Sequence, residues 1–323
     1  MRPLKFHPIL KQTLWGGERI IPYKELASGL SRVGESWELS GMPGSESVVA
    51  EGPWAGSTLS ELIGRFGAEL LGKANYARFG QEFPLLVKFI DAREDLSIQV
   101  HPDDELARKR HGKSGKCEMW YVLEAEPGAS LLTGFSRPIA PAEYERRVAD
   151  NTLTDVLNRQ AIASGDVFYL PAGRVHSIGK GSFIVEIQQS SDITYRIYDF
   201  DRRDAAGNSR ELHTELAREA IDFESSENSR ITYAPENNQE VRLVTTPYFT
   251  TSLYTPTART RCDWSATDSF VAIVLLQGSG SLTDNEGNRI DVRQGETWLL
   301  PASTQWTEIT PHTAPLRLLT SRI

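Results

Sequence analysis

Short apolar runs separated by Gly and Pro are the feature that most restricts the fold of this chain. Most of the runs span roughly four to eight residues and are rich in Val, Ile, Phe, Tyr and Trp, and examples are FPLLVKFID, EMWYVL, DVFYLPAG and VAIVLLQGSGSL. Runs of this length and composition are typical of β-strands, since amphipathic helices need longer repeats. The sequence therefore predicts a mainly β protein.

A few segments carry a helical pattern and are predicted to decorate the sheets. They are TLSELIGRFGAELLG (58–72), PAEYERRVADNTLTDVLNRQAI (141–162) and ELHTELAREAIDF (211–223). Thr58 is a favourable N-cap residue, and Pro141 suits the first turn of a helix. The basic run RKRHGK (108–113) instead predicts a solvated turn near a pocket entrance.

An internal repeat indicates two similar β units. GDVFYLPAGRVH (165–176) aligns without gaps to GETWLLPASTQW (295–306), and in both a Gly turn leads into an apolar strand that ends at a Pro-led turn. Antiparallel jelly rolls repeat such hairpins, so two tandem barrels are predicted. Trp306 stands where the first copy has His176, which predicts a metal-free second barrel with Trp306 in its core. A chance likeness between two hairpins is the alternative.

The polar, turn-rich segment SSENSRITYAPENNQEVR separates the two copies. We therefore place a metal-binding barrel with helical insertions at residues 1–224, a linker at 225–242 and a second barrel at 243–323. The N-terminal strands are available to pair with the second barrel.

Charge and composition exclude several classes of protein. The 323 residues carry a formal net charge of -8, so no basic surface is available for nucleic acid. Apolar stretches long enough for a signal peptide or a membrane span are absent, which predicts a cytoplasmic protein without a membrane partner. Cys117 and Cys262 are too few for a disulfide framework. Cys117 is expected to be a packed thiol.

Strand periodicity brings several metal-binding side chains together. Residues i and i+2 of a strand share a face, so Gln99 and His101 in LSIQVHPDD converge, as do Lys116 and Glu118 in GKCEMWYV. His176 follows the strand DVFYLPAG at a predicted barrel mouth. Gln99, His101, Glu118 and His176 offer one amide oxygen, two imidazoles and one carboxylate, which suit one Zn²⁺ per chain; nickel, cobalt and manganese stay open.

Two other histidines lack a partner at ligand spacing. His111 and His213 are therefore expected at the surface.

A set of longer motifs resembles a known family. The frame from Gly165 to His176 matches the second cupin motif, G-x5-P-x-G-x2-H, with Lys180 in place of the usual Asn. The other motifs are WGG (15–17), GESWELSG (34–41), PLLVKFIDAREDLSIQVHPDD (84–104), GKCEMWYVL (115–123), LPAGRVHSIG (170–179) and VEIQQSSDITYRIYDFDR (185–202). From about residue 4 to its end, the chain resembles type I mannose-6-phosphate isomerase in its short bacterial form.

The resemblance implies a fold, a site and a reaction. The fold is mainly β, with two tandem cupin-type jelly-roll barrels and a few decorating helices. The family's zinc ligands map onto the four residues found from spacing. Its catalytic residues map onto Arg196, Lys116 and Glu186, and its substrate-binding stretches contain Ser97, Lys88, Trp15 and Glu38.

The implied reaction is the interconversion of mannose 6-phosphate and fructose 6-phosphate through an enediol, which needs a base near C1 and C2. Lys116, His101 and Glu186 are the alternatives for that base. A non-catalytic sugar-binding cupin and an isomerase of another phosphorylated sugar are the alternative functions. The implied partner is a small sugar phosphate, and both a monomer and a homodimer stay open.

Overall fold

The computed structural model describes residues 1–224 and 228–323. Within these ranges the strands are, in chain order, β1 (Leu4–Lys5), β2 (Ile9–Gly17), β3 (Val33–Leu39), β4 (Gly41–Met42), β5 (Ser45–Glu46), β6 (Leu85–Asp91), β7 (Ile98–Val100), β8 (Glu118–Ala125), β9 (Ser130–Phe135), β10 (Leu157–Ala161), β11 (Val167–Leu170), β12 (His176–Ile178), β13 (Ser182–Gln189), β14 (Tyr195–Tyr198), β15 (Arg230–Ile231), β16 (Glu240–Thr245), β17 (Thr250–Tyr254), β18 (Thr260–Asp263), β19 (Val271–Gln277), β20 (Ser279–Asp284), β21 (Arg289–Arg293), β22 (Thr297–Leu300), β23 (Trp306–Pro311) and β24 (Arg317–Arg322). The helices are α1 (Ile20–Tyr23), α2 (Leu59–Phe66), α3 (Ala68–Leu71), α4 (Lys73–Phe79), α5 (Asp104–His111), α6 (Pro141–Ala149) and α7 (Thr214–Ala220), with a 3-10 helix at Leu153–Val156. In the described part of the chain, none of these helices is long and apolar enough to cross a membrane.

Antiparallel sheets pair into two barrels. The first barrel contains a seven-stranded sheet, in the order β15-β11-β8-β13-β6-β3-β2, and a five-stranded sheet, β10-β9-β12-β7-β14. The second contains a six-stranded sheet, β1-β22-β19-β24-β17-β16, and a four-stranded sheet, β18-β23-β20-β21. The prediction of a mainly β chain with two tandem cupin-type units and decorating helices is confirmed.

Strand β6 shows why several runs are apolar without alternation. All seven of its residues are buried, because the seven-stranded sheet is covered on both faces. Phe89 packs in a central core between the two barrels, and its neighbour Ile90 packs inside the first barrel. A strand covered on both faces needs apolar side chains at successive positions.

The first strand of the chain belongs to a sheet of the second barrel. β1 pairs with β22 in the second barrel, where Leu4 lies opposite Leu299. Of the predicted linker, residues 225–227 lie outside the described residues. Beyond them, β15 pairs with β11 of the first barrel and β16 with β17 of the second. The domain boundaries themselves stay a prediction.

The helix predicted for residues 141–162 is shorter than expected. α6 ends at Ala149, and Asn151 adopts a φ of 54°, which a continuing right-handed helix does not allow. Residues 157–161 form β10, which pairs with β9. Tertiary pairing has therefore outweighed the local helical pattern.

The turn predicted at residues 108–113 is also wrong over most of its length, because α5 extends to His111. The Asp103 side chain caps α5 by accepting a hydrogen bond from the amide of Leu106 at 2.8 Å. Gly112 ends the helix with a φ of 65°. The basic residues occupy the last turn, where they interact favourably with the helix dipole.

The core of the second barrel does not include Trp306. This residue begins β23, as His176 begins β12, but its ring is half-buried and lies 4.3 Å from the Arg261 guanidinium carbon. The buried cluster inside that barrel contains Trp264 and Trp298 instead. The expectation of a core position for Trp306 was therefore wrong.

Gly72 allows the helical insertion to contact the second barrel, and this gives a test of the packing. Its φ is 95°, and a Cβ there would lie 2.2 Å from the carbonyl oxygen of Asp268. Gly80 has a φ of 60° but open space around a Cβ. We expect Gly80→Ala to cost about 1–3 kcal/mol through backbone strain alone, and Gly72→Ala to cost about 1–3 kcal/mol more through the clash.

Thermal unfolding of the two variants beside the parent checks this expectation. Equal losses in melting temperature would contradict the clash with Asp268.

Candidate metal centre and active site

A cross-strand row in the five-stranded sheet aligns three of the predicted site residues. On β12, β7 and β14, His176 pairs with Gln99, and Gln99 pairs with Arg196. Residues directly opposite one another in an antiparallel ladder project to the same face of the sheet. The three side chains therefore share one face.

The facing sheet supplies the carboxylate. Glu118 is the first residue of β8 and is fully buried. Its Oε1 lies 3.2 Å from Nε2 of His176, and its Oε2 lies 3.5 Å from Nε2 of His101. One ligand atom from each of His101, Glu118 and His176 falls within 4.8 Å of the other two.

Backbone carbonyls orient both imidazoles. His101 Nδ1 lies 2.8 Å from the carbonyl oxygen of Ile193, and His176 Nδ1 lies 2.8 Å from that of Arg174. A carbonyl only accepts, so each Nδ1 carries the proton and each Nε2 presents a lone pair to Glu118. Metal-ligating histidines in proteins are oriented in this way.

Burial keeps both rings in the neutral form that binds metals. Burial, together with the neighbouring Lys116 ammonium, lowers the pKa of His101 to about 3. Burial likewise lowers the pKa of His176. Protons therefore compete little for either Nε2 at neutral pH.

The Glu118 carboxylate lacks the hydrogen bonds that a buried anion normally receives. Among the described residues, neither carboxylate oxygen accepts a hydrogen bond of acceptable geometry. Burial favours the neutral acid, but the Lys116 ammonium, followed by the neighbouring imidazoles of His176 and His101, outweighs it and holds the pKa of Glu118 well below its usual value. A buried carboxylate whose neighbour is a single ammonium, beside two imidazole lone pairs, fits a cation.

Gln99 completes the predicted ligand set. Its amide nitrogen lies 3.4 Å from His176 Nε2, and its Oε1 accepts a hydrogen bond from Ser97 Oγ at 3.3 Å. A half-turn of the amide would exchange these two atoms and direct the oxygen towards His176. The side chain thus reaches the cluster.

Lys116 brings a positive charge to the same place. Its Nζ lies 2.9 Å from Glu118 Oε2 and 3.1 Å from His101 Nε2. Cys117 faces the other way, and its sulfur accepts a hydrogen bond from the amide of Ala172 at 3.3 Å. Burial raises the pKa of Cys117, as expected of a packed thiol.

A second row, across the seven-stranded sheet, joins the predicted catalytic and substrate residues. Trp120, Glu186 and Lys88 are direct cross-strand partners on β8, β13 and β6. Glu186 accepts hydrogen bonds from Lys88 Nζ at 3.0 Å and from Trp120 Nε1 at 2.9 Å, one on each oxygen. Burial opposes the charge on Lys88, but Glu186 and Glu35 outweigh it and raise its pKa.

Arg196 keeps one donor without a partner. Its Nη1 donates to the carbonyl of Glu211 at 3.0 Å. Its Nε is buried and has no hydrogen-bond partner in the described part of the chain. The side chain is therefore held at one end and free to donate at the other.

Two predicted substrate residues lie away from the cluster of His101, Glu118 and His176. Trp15 is 4% exposed and packs with Trp120 in the apolar interior of the first barrel. Glu38 accepts hydrogen bonds from Lys24 Nζ at 2.8 Å and Ser36 Oγ at 2.5 Å. Lys24 in turn lies over Phe89 in the central core, so Glu38 projects towards the second barrel.

The alternation in GESWELSG places Trp37, and not Glu38, on the face of β3 that meets the site. Trp37 lies opposite Lys88 on the site-facing side of β3, and its Nε1 donates to Glu35 at 2.6 Å. The Trp37 ring lies 4.8 Å from Lys11 Nζ and 5.2 Å from Lys88 Nζ. Glu38, the residue predicted from this motif, projects from the opposite face of the strand.

His213 was expected at the surface but is half-buried beside Arg196. Its Nδ1 accepts a hydrogen bond from the Arg196 amide at 3.2 Å. His111 is exposed as expected, and its ring contacts the Tyr195 hydroxyl at 2.8 Å. No spacing rule reveals the contact of His213, since it depends on how the chain returns to β14.

Comparisons with known proteins point to one family. Residues 4–132 match the model for the catalytic domain of type I phosphomannose isomerase. Over 303 residues the chain is 34% identical to a probable mannose-6-phosphate isomerase of Bacillus subtilis, covering 93% of each chain. It is 33% identical over 302 residues to a mannose-6-phosphate isomerase of Streptococcus mutans, covering 93% of this chain and 92% of that one.

A solved structure agrees over the whole length. The crystal structure of mannose 6-phosphate isomerase from Bacillus subtilis superposes with a TM-score of 0.90 at 30% identity and covers 100% of both chains. The structure from Archaeoglobus fulgidus, at 22% identity and a TM-score of 0.79, supports the fold alone.

Removing a ligand should remove the metal. We expect Glu118→Gln, His176→Ala and Gln99→Ala to weaken divalent-metal binding by well over about 10-fold, because each takes a donor from the cluster. Elemental analysis of the purified variants measures metal per chain. His312→Ala, an exposed histidine of the second barrel, is the matched control. Full metal occupancy in the ligand variants would contradict the assignment.

Proposed function

The chain belongs to the type I mannose-6-phosphate isomerase family, and on that premise we propose that it interconverts mannose 6-phosphate and fructose 6-phosphate at the cluster around Glu118. Lining the cluster is a set of polar side chains of opposite sign. They are Gln99, His101, Lys116, Glu118 and His176, and Arg196 follows Gln99 in the cross-strand row.

One observation carries the proposal more than the others. The neutral Nε2 atoms of His101 and His176 converge on a buried carboxylate that accepts no hydrogen bond among the described residues, while Arg196 offers an unpaired donor from the same sheet face. An isomerase that forms an enediol needs groups that stabilise the charge developing on the substrate oxygens, and a bound metal and a guanidinium donor can both do so.

Zn²⁺ is the metal that we propose for the cluster. His101, His176, Glu118 and Gln99 would hold it, since two imidazoles, a carboxylate and an amide oxygen suit zinc and leave room for substrate. When bound, zinc acts as a Lewis acid on the substrate carbonyl. Cobalt, nickel and manganese, which accept similar ligands, are compared with zinc in the experiment below.

Lys116 is our choice for the group that moves the proton. The base must take the proton from C2 of the open-chain aldose and return it to C1, while the oxygens exchange theirs. Glu186 has both oxygens occupied by Lys88 and Trp120, and His101 directs its lone pair to the metal cluster. Lys116 Nζ lies at the cluster on a flexible side chain, and it would take the C2 proton as the neutral amine, after the ammonium has released a proton.

Arg196 would stabilise the enediolate. Its guanidinium stays charged throughout the reaction, and its buried Nε has a free N–H. A donor that is already oriented stabilises developing negative charge without reorganisation.

The phosphate end would be bound by Lys88 and Ser97. Lys88 uses one N–H for Glu186 and keeps two donors. Ser97 bonds Gln99 and also orients that ligand. In this proposal Glu186 positions Lys88, and Trp15 supports the pocket from the apolar interior.

The activity and the metal are tested together. Purified protein should convert mannose 6-phosphate to fructose 6-phosphate, lose this activity after EDTA treatment and regain it with added Zn²⁺, because the Lewis acid is removed and returned. Parallel samples loaded with cobalt, nickel or manganese establish which metal supports turnover. A protein with one zinc per chain that leaves the substrate unchanged would contradict the proposed function.

A variant of Arg196 separates catalysis from metal binding. Arg196→Ala should lower kcat roughly 10²–10³-fold, the typical effect of removing a charge-stabilising donor, with its zinc content unchanged. Arg203→Ala is the control, since Arg203 is exposed and donates only to the carbonyl of Gly207 among the contacts described. Wild-type turnover by Arg196→Ala would remove Arg196 from the mechanism.

A further inference from the structure

Arg196 lies on a strand edge that the five-stranded sheet does not cover. β14 is the last strand of that sheet and pairs on one side with β7. The backbone groups on the other side of such a strand need a partner from elsewhere.

His213 supplies both partners. Its backbone N–H donates to the carbonyl of Arg196 at 2.7 Å, and its imidazole Nδ1 accepts the Arg196 N–H at 3.2 Å. One histidine therefore takes the place of a neighbouring strand at this residue. The side chain is needed because the chain turns into α7 directly after His213.

This contact determines how Arg196 pairs with Gln99, a proposed metal ligand. The N–H and C=O of Arg196 point outward to His213, so they do not bond to the opposite residue Gln99. The pair is consequently of the non-hydrogen-bonded class, in which facing side chains approach most closely. His213 thereby holds the arginine against the ligand row.

The same segment also holds the guanidinium. The carbonyl of Glu211 accepts from Arg196 Nη1, two residues before His213. Arg210 anchors this segment through a bidentate contact with the buried carboxylate of Asp199, at 2.8 and 2.5 Å. Backbone and side chain of Arg196 are thus both oriented by residues 210–213.

We propose that His213 is a positioning residue for the isomerase reaction, holding Arg196 beside Gln99 through the Nδ1 acceptor of its neutral ring. The inference rests on the proposed function for its kinetic consequence, but its structural consequence is independent of activity. His213 itself does not contact the metal cluster in the contacts described.

The tautomer required is consistent with the surroundings. Nδ1 must be unprotonated to accept the Arg196 N–H, so Nε2 carries the hydrogen. That hydrogen faces a carboxylate oxygen of Glu211 at 3.8 Å between Nε2 and Oε2. A half-turn of the ring would put the Cδ2–H in the place of Nδ1 and lose the bond.

Three substitutions of His213 separate the role of the Nδ1 acceptor from that of the side-chain volume and from that of Nε2. Asn can place its amide oxygen near the position of Nδ1, whereas Gln places its oxygen near that of Nε2, and Ala has neither. We expect His213→Ala and His213→Gln to lower kcat roughly 10–100-fold with metal content unchanged, since small misplacements of a catalytic group have effects of this size. His213→Asn should restore turnover to near wild type, and His312→Ala is the unaffected control.

A double-mutant cycle tests whether His213 acts through Arg196. In the Arg196→Ala background, His213→Ala should have no further effect on kcat, because the positioned group is already absent. Additive losses, or an Asn variant as slow as the Ala variant, would overturn the inference.

Hydrogen exchange provides a readout that does not need activity. The Arg196 amide should exchange at least about 10-fold faster in His213→Ala and His213→Gln than in the wild type and in His213→Asn, since its acceptor is lost. Unchanged exchange in all variants would overturn the inference even in an active enzyme. An inactive wild type with the expected exchange pattern would instead contradict the proposed function alone.

Discussion

The buried carboxylate of Glu118 is the group on which the arrangement of the site depends. Leaving a buried carboxylate without hydrogen bonds is costly, and only nearby positive charge compensates for it. Lys116 and the two imidazoles surround it, and their backbone carbonyl partners fix which nitrogen faces the centre. The charge of Glu118 thus explains the position of Lys116, and the backbone carbonyls explain why both Nε2 atoms face the carboxylate.

The seven-stranded sheet makes that arrangement rigid. One of its faces carries Glu118, Glu186 and Lys88, and the other packs into the core shared with the second barrel. The second barrel has an apolar interior with Trp264 and Trp298 among its buried residues. It therefore contributes to the site through packing, because the shared core holds in place the strands that carry Glu118, Glu186 and Lys88.

The five-stranded sheet is less completely paired, because β14, the strand that carries Arg196, lies at its edge. An edge strand lacks one set of backbone partners, and the return of residues 210–213 supplies them. The sheet thereby gains a fixed guanidinium where an open strand would fluctuate. His213 has a structural role only because β14 is an edge strand, whose backbone groups it binds.

The sequence alone determined the β class, the repeat and the ligand candidates, because strand periodicity of two and the Gly–Pro turns act over a few residues. It also predicted the shared face of Gln99 and His101. Local patterns misjudged residues 157–161 and 108–111, where strand pairing and helix capping decided the outcome. Which face of GESWELSG meets the site, and which partner His213 finds, were decided only by tertiary structure, since both depend on contacts between segments far apart in the chain.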